Sequence, residues 1–171
     1  MSKTNCPNER EGGQVFMAGP IHGVVFKPVQ LRMDNRGWLA EIYRQDELAS
    51  EIHPVMAYIS ETRPGTARGP HEHIAQTDYF VFLGPGDFTL YLWDIRPKSP
   101  TRGNRIKIIV GQSNKQAVIV PPGVVHAYKN TGSVPGWVFN EPNRLYAGVA
   151  RKEAVDEIRH EDLPNSPYVL D

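Results

Sequence analysis

The chain has 171 residues, with 19 lysines and arginines against 19 aspartates and glutamates. That length holds one ordinary domain with a real core. Zero formal charge argues against a nucleic-acid-binding surface, so an anionic ligand must be held by local arginines.

In chain order, the polar opening "MSKTNCPNEREGGQ" reads as a flexible tail over 1–14. It lacks the apolar core of a signal peptide, and no later run approaches a membrane span. Its Cys6 is the single cysteine, so no internal disulfide forms; with the missing signal this points to the cytoplasm. Residues 15–171 then read as a single domain. Short β-rich runs follow: "GVVFKPVQL", "PVMAYISE", "DYFVFLG", "DFTLYLWDI", "RIKIIVG", "QAVIVPPG", "VVHAYKN" and "GWVFNE". Turn signals such as "NRG", "RPGT", "GPGD" and "NTGS" separate them. In "DFTLYLWDI", Phe88, Leu90 and Leu92 alternate with Thr89, Tyr91 and Trp93, as in a strand with two distinct faces. Helix is scarce. A short one is expected over 44–52. A better one is expected over 150–163, where Ala154, Val155 and Ile158 make a narrow apolar stripe and Pro164 ends it. Many short strands at this spacing predict an all-β sandwich or barrel of jelly-roll type.

The chemistry concentrates in two stretches. "GTARGPHEHIAQTDYF" puts His71 and His73 two apart, on one face of a strand, with Asp78 at the start of the next apolar run. "PPGVVHAYKN" adds His126. These two half-motifs resemble the cupin pair, which sits on facing strands of a small antiparallel jelly-roll barrel and converges inside it. The resemblance implies a metal site of His71, His73, Asp78 and His126, with Asp78 in place of the usual glutamate. Such a mixed N/O set suits one divalent ion of Fe, Mn, Ni, Zn or Cu, and spacing does not choose among them. His22, His53 and His160 have no comparable context and read as surface or structural residues.

Over residues 24 to 148 the chain resembles one cupin family in particular, the dTDP-4-dehydrorhamnose 3,5-epimerases. "DNRGWLAEIY", "GTARGPH", "YLWDIRPKSPTRG" and "VPPGVVHAY" carry the likeness, in order. It implies an isomerase that binds a sugar nucleotide in the barrel and forms a homodimer, with no nucleic-acid or membrane partner. Arg36 and Arg68 would take the diphosphate, since guanidinium forks fit phosphate oxygens. Glu41 would lie near the base or ribose. His71 would remove the proton beside the C4 ketone, oriented by a carboxylate near the C-terminus for which Asp162 is the candidate. Two helpers differ from the family. The enolate-stabilising lysine is Asp78 here, and the acid tyrosine falls on Asn140, kept as a substrate-binding position; Tyr146 matches another family tyrosine. An aspartate beside a developing enolate opposes the reaction. A divalent cation on the histidines would restore the missing positive charge, but a metal-bound His71 could not also be a free base, leaving metal-bound hydroxide, Tyr146 or Glu72. Tyr79, Tyr91 and Tyr128 are further candidate barrel-lining hydroxyls. Two other readings stay open: a metal-dependent dioxygenase or isomerase on another small substrate, and a barrel that only binds a sugar or nucleotide.

Overall fold

The structure, a computed structural model, describes residues 15–171; the tail expected over 1–14, with Cys6, lies outside them. Thirteen strands follow one another: β1 Met17–Ala18, β2 Val25–Pro28, β3 Leu31–Asp34, β4 Gly37–Ala40, β5 Tyr58–Thr62, β6 Ala67–Glu72, β7 Asp78–Phe82, β8 Asp87–Asp94, β9 Asn104–Gly111, β10 Gln116–Val120, β11 Val124–Asn130, β12 Gly136–Asn140 and β13 Ile158–Arg159. Each of the β-rich runs contains one of these strands. One sheet has the order β1-β9-β8-β11-β6-β13 and the other β2-β10-β7-β12-β5; β3 and β4 form a separate hairpin. The pairing is antiparallel except between β1 and β9, which run parallel. Two facing antiparallel sheets with such crossovers are the jelly roll expected from the sequence.

Alternation explains the core. Phe88, Leu90 and Leu92 of β8 enter the space between the sheets with Phe80, Phe82, Val118 and Tyr128. Tyr91 and Trp93 point the other way and stack on each other under Phe16 and Tyr168. Both faces of β8 are therefore buried, one by the opposite sheet and one by the ends of the described chain. Tyr79 lies likewise on the outer face of its own sheet with Ile42 and Leu48. Of the three tyrosines expected to line the barrel, only Tyr128 does so. Inside, Phe82 meets Phe80, Phe88 and Tyr128 at ring distances of 6.1, 5.7 and 5.7 Å. Phe82→Ala should therefore destabilise the fold by about 3–5 kcal/mol, because so tight a cluster closes poorly over a cavity; the shift of the urea midpoint measures it.

Neither expected helix forms. Residues 44–52 make two single 3₁₀ turns, Gln45–Glu47 and Ser50–Ile52. Residues 150–163 are a 3₁₀ turn at Val149–Arg151, an extended stretch and β13. Ala150 and Arg151 take left-handed backbone angles, φ 54° and 59°, which a right-handed helix excludes. The apolar stripe is too narrow to win: Val155 and Ile158 are each 42% exposed. The segment instead adds an edge strand, pairing Ile158 with Glu72 and Arg159 with His71. That pairing draws the whole stretch over one end of the barrel.

Candidate active site

The site lies at that end, where the ladder of rings Phe88, Tyr128, Phe80 terminates in His126. His71 and His126 are register partners on adjacent strands β6 and β11, with ring centroids 4.3 Å apart. His73 follows at the end of β6, 5.5 Å from His71 and 5.7 Å from His126. Asp78 comes from β7 in the opposite sheet. So the third imidazole is a neighbour of the first, and the carboxylate is the group that crosses the barrel, the reverse of what facing half-motifs imply. One coordinating atom from each of the three histidines lies within 4.8 Å of the others.

Gly69 explains how β6 and β11 come so close. Its φ is +76°, and a Cβ there would sit 2.5 Å from the His126 carbonyl oxygen and 3.0 Å from His71 Nδ1. The glycine of "ARGPH" is thus required by a close approach as well as by its backbone angle.

The four residues divide into two groups. Asp78 Oδ2 is 3.2 Å from His73 Nε2 and 3.3 Å from His126 Nε2; His71 makes no such approach to it. His126 Nδ1 donates to the Val124 carbonyl at 3.0 Å, so its Nε2 carries a lone pair. His73 Nδ1 donates to the Asp156 carbonyl. Gln76 Nε2 lies 2.9 Å from Asp78 Oδ1 and 3.1 Å from His73 Nε2. The carboxylate fixes that end of the amide as the NH₂, which also lies against His73 Nε2. Two imidazole nitrogens thus converge on one carboxylate oxygen. Asp78 Oδ2 and His126 Nε2 are buried and have no hydrogen-bond donor among the described residues. Carbonyl-fixed tautomers with free nitrogens aimed at a carboxylate are the usual support of a metal-ligating set.

Charge follows the same division. Burial lowers the His73 imidazole, but Asp78 and the Asp156 carbonyl outweigh it and lift it to about 9. Burial raises Asp78, but the His73 hydrogen bond and the nearby His126 and His73 imidazoles hold it down to about 2. This pair attracts positive charge. His71 behaves oppositely. Burial, then the nearby His126 and His73, push it down to about 2, so it is a neutral imidazole. Its Nδ1 faces Glu157 Oε1 at 3.9 Å, and Glu157 is held by Arg159 at 3.2 Å. Apo carboxylate–imidazole distances of this kind commonly shorten once substrate is bound.

A cavity of about 530 Å³ opens beside the histidines, lined among others by Tyr58, Arg68, His71, Phe80, Tyr128 and Tyr146. Arg68 stands at its rim, braced by Thr62 Oγ1 at 3.2 Å and the Glu61 carbonyl at 2.9 Å. Asn140 is buried behind the wall and donates to Asp78 Oδ1 at 2.8 Å. It supports the carboxylate instead of reaching a ligand. Asp162 is exposed and not beside His71; Glu157 occupies that place. Arg36 lies on the exposed β3–β4 hairpin, paired with Asp34. Glu41 lies outside the cavity against Arg32 and Arg44. Glu72 points away from the site to His160 at 2.9 Å, which removes it as a base. The "DIRPKSPT" motif braces a loop: Arg96, Ser99 and Thr101 all bond to Asp94.

Sequence reasoning missed Glu157, Asp156 and Gln76. Asp156 receives the backbone N–H groups of Ile74, Ala75 and Gln76 at 2.7, 3.0 and 2.8 Å, which fixes the turn carrying His73. The available signal was the acidic pair in "AVDEIRH", hidden by reading that stretch as a helix.

A sequence profile described as dTDP-4-dehydrorhamnose 3,5-epimerase matches residues 18–136. The chain belongs to this family. It is 37% identical over 127 residues to a probable low-salt glycan biosynthesis epimerase of Haloferax volcanii, covering 74% of this chain and 81% of that one. Membership of the epimerase family makes it an enzyme of the isomerase class. The fold agrees with that of epimerase-family structures. A dTDP sugar isomerase of Desulfovibrio desulfuricans superposes with a TM-score of 0.74 at 21% identity, covering 88% and 90% of the two chains. A dTDP-6-deoxy-D-glucose-3,5-epimerase of Legionella pneumophila, in complex with dTDP-4-keto-L-rhamnose, gives 0.70 at 19% identity, covering 90% and 81%. Among the described residues no helix is long and apolar enough to cross a membrane.

Proposed function

We propose that this epimerase-family enzyme acts on a dTDP-linked 4-keto-6-deoxyhexose through an enolate, with His71 as the base. One observation carries the reading: a neutral imidazole, backed by Glu157, in the wall of a cavity with an arginine at its rim. A neutral His71 can take the proton from the carbon beside the C4 ketone, and Glu157 stabilises the imidazolium that results. Asp78, His73 and His126 hold one divalent cation, and His71, turned to Glu157, is left free. When bound, that ion supplies the positive charge that the C4 oxygen needs and that Asp78 cannot give.

Arg68 binds the diphosphate. Arg36 joins it from the partner subunit of a homodimer, since the hairpin that carries it exposes Met33, Trp38 and Leu39 by 70, 55 and 59%. Cytoplasmic placement is part of the proposal and follows from the single cysteine.

The test is deuterium incorporation from heavy water into dTDP-4-keto-6-deoxyglucose, followed by mass spectrometry. Exchange supports the reading; its absence from this and other nucleotide-linked 4-keto sugars overturns it. In calorimetry Arg68→Ala should weaken dTDP binding tenfold or more, because a charged hydrogen bond contributes roughly 1.5–3 kcal/mol. If wild type binds no nucleoside diphosphate, the substrate assignment is wrong.

A further inference from the structure

Inversion at a carbon requires a proton to leave from one face and arrive on the other. His71 stands on β6 in one sheet, so the second proton must come from the opposite wall, which β5, β7 and β12 provide. Three phenols line the cavity: Tyr58, Tyr128 and Tyr146. Tyr128 is on β11, in the same sheet as His71, and its hydroxyl is engaged with Ser60 Oγ at 3.1 Å. Tyr146 belongs to the segment over the mouth and not to the facing sheet; its exposure of 55% is close to the 45% of Tyr58 and does not separate the two.

Tyr58 is the phenol anchored in the facing sheet. It is the register partner of Asn140 across β5 and β12. Asn140 Nδ2 lies 2.8 Å from Asp78 Oδ1 and 2.9 Å from Tyr58 Oη. The carboxylate fixes this nitrogen as the NH₂, so both of its hydrogens are directed, one to Asp78 and one to the phenol. Tyr58 Oη is therefore an acceptor toward Asn140. Its own O–H meets no acceptor among the described residues and is free to turn toward the cavity.

We propose that Tyr58 is the acid that delivers a proton to the enolate carbon on the face opposite His71, held in place by Asn140. The inference rests on the epimerase reading above. In the forward step the C–H bond breaks, its proton goes to His71, and the electron pair moves through the new C=C bond onto the C4 oxygen. In the return step those electrons re-form the C4 carbonyl while the carbon takes the Tyr58 proton. The resulting phenolate is reprotonated by water and the His71 imidazolium returns its proton to solvent; nothing is oxidised or reduced. Tyr58 is 45% exposed; the burial of the rest of the ring, eased only partly by the Asn140 hydrogen bond, pushes its pKa up to about 12, so the phenol carries its proton at neutral pH.

The experiment compares Tyr58→Phe with wild type in heavy water, using dTDP-4-keto-6-deoxyglucose and separating deuterated but uninverted sugar from inverted sugar. Dichroism and dTDP affinity, unchanged in the variant, establish that it is folded. The expected result is exchange within about threefold of wild type, returned by His71 with retention, while inversion falls at least about 100-fold. Equal loss of exchange and inversion overturns the assignment and makes Tyr58 a support for the wall or the C4 oxygen. Undiminished inversion overturns it too, and Tyr146→Phe then becomes the variant to make. No exchange in wild type removes the underlying epimerase reading, a result distinct from either.

Discussion

His71→Asn is expected to lower deuterium exchange into a nucleotide-linked 4-keto sugar by about 10³-fold or more, the range for loss of a positioned general base, with dTDP affinity and metal content unchanged. The first part follows from the neutral imidazole in the cavity wall with Glu157 behind it. The second follows from the approach of Asp78 to His73 and His126 and not to His71. Metal analysis and exchange on the same preparations check both. Loss of metal with exchange would make His71 a ligand; Glu72 could not replace it as base, because it faces away toward His160. The pH profile is a further check. Only unprotonated His71 accepts a proton, and burial with the neighbouring imidazoles holds it down to about 2. Exchange should therefore show no acid limb centred near the ordinary histidine value; a limb there would mean that the base is a solvated imidazole.

The strands were legible because their signal is local. Alternation in "DFTLYLWDI" and turn chemistry between short apolar runs depend on neighbours in sequence. The convergence of His71, His73, Asp78 and His126 was legible from two half-motifs. Which strand lies beside which was not: His126 adjoins His71 in register, and only the sheet order reveals it. The fold also separates groups that the sequence placed together. Arg36 and Glu41 lie on an exposed hairpin and its continuation, outside the cavity, because that hairpin pairs with neither main sheet.

The largest misreading was the stretch over 150–163, and its cause is energetic. Helix propensity there is good, but a helix needs an apolar face with something to cover. Here the backbone gains more from pairing with β6, and Asp156 gains three backbone donors at once. The same segment supplies Glu157, which faces His71 where the family resemblance suggests Asp162. Tertiary partners decided the local structure, and the partner groups are some 80 residues away in sequence.

Asp78 separates the chemistries most sharply. Asp78→Lys should lose both the bound metal and the exchange activity, because it replaces an anionic ligand by an ammonium beside His73 and His126. Asp78→Asn keeps the size of the side chain and its contact with Asn140 while removing the charge, so it tests the same point with less risk to folding. It should lose metal as well, with exchange down by about 10²-fold or more, the scale of removing one preorganised stabiliser of a developing oxyanion. Elemental analysis of protein purified without chelator, alongside the exchange assay, decides among three outcomes. Metal retained in either variant removes Asp78 from the ligand set. Metal-free wild type that exchanges, with Asp78→Lys equally or more active, means that a proton on His73 serves where a cation was assigned, and that lysine at this position is the better stabiliser. Metal-loaded wild type with no exchange on any nucleotide-linked 4-keto sugar shifts the assignment to a metal-dependent reaction on another substrate. The physical expectation is the first-named loss: two carbonyl-fixed imidazoles turn their second nitrogens to one buried carboxylate oxygen, a cluster that binds a cation, and removing the carboxylate's charge removes what holds it.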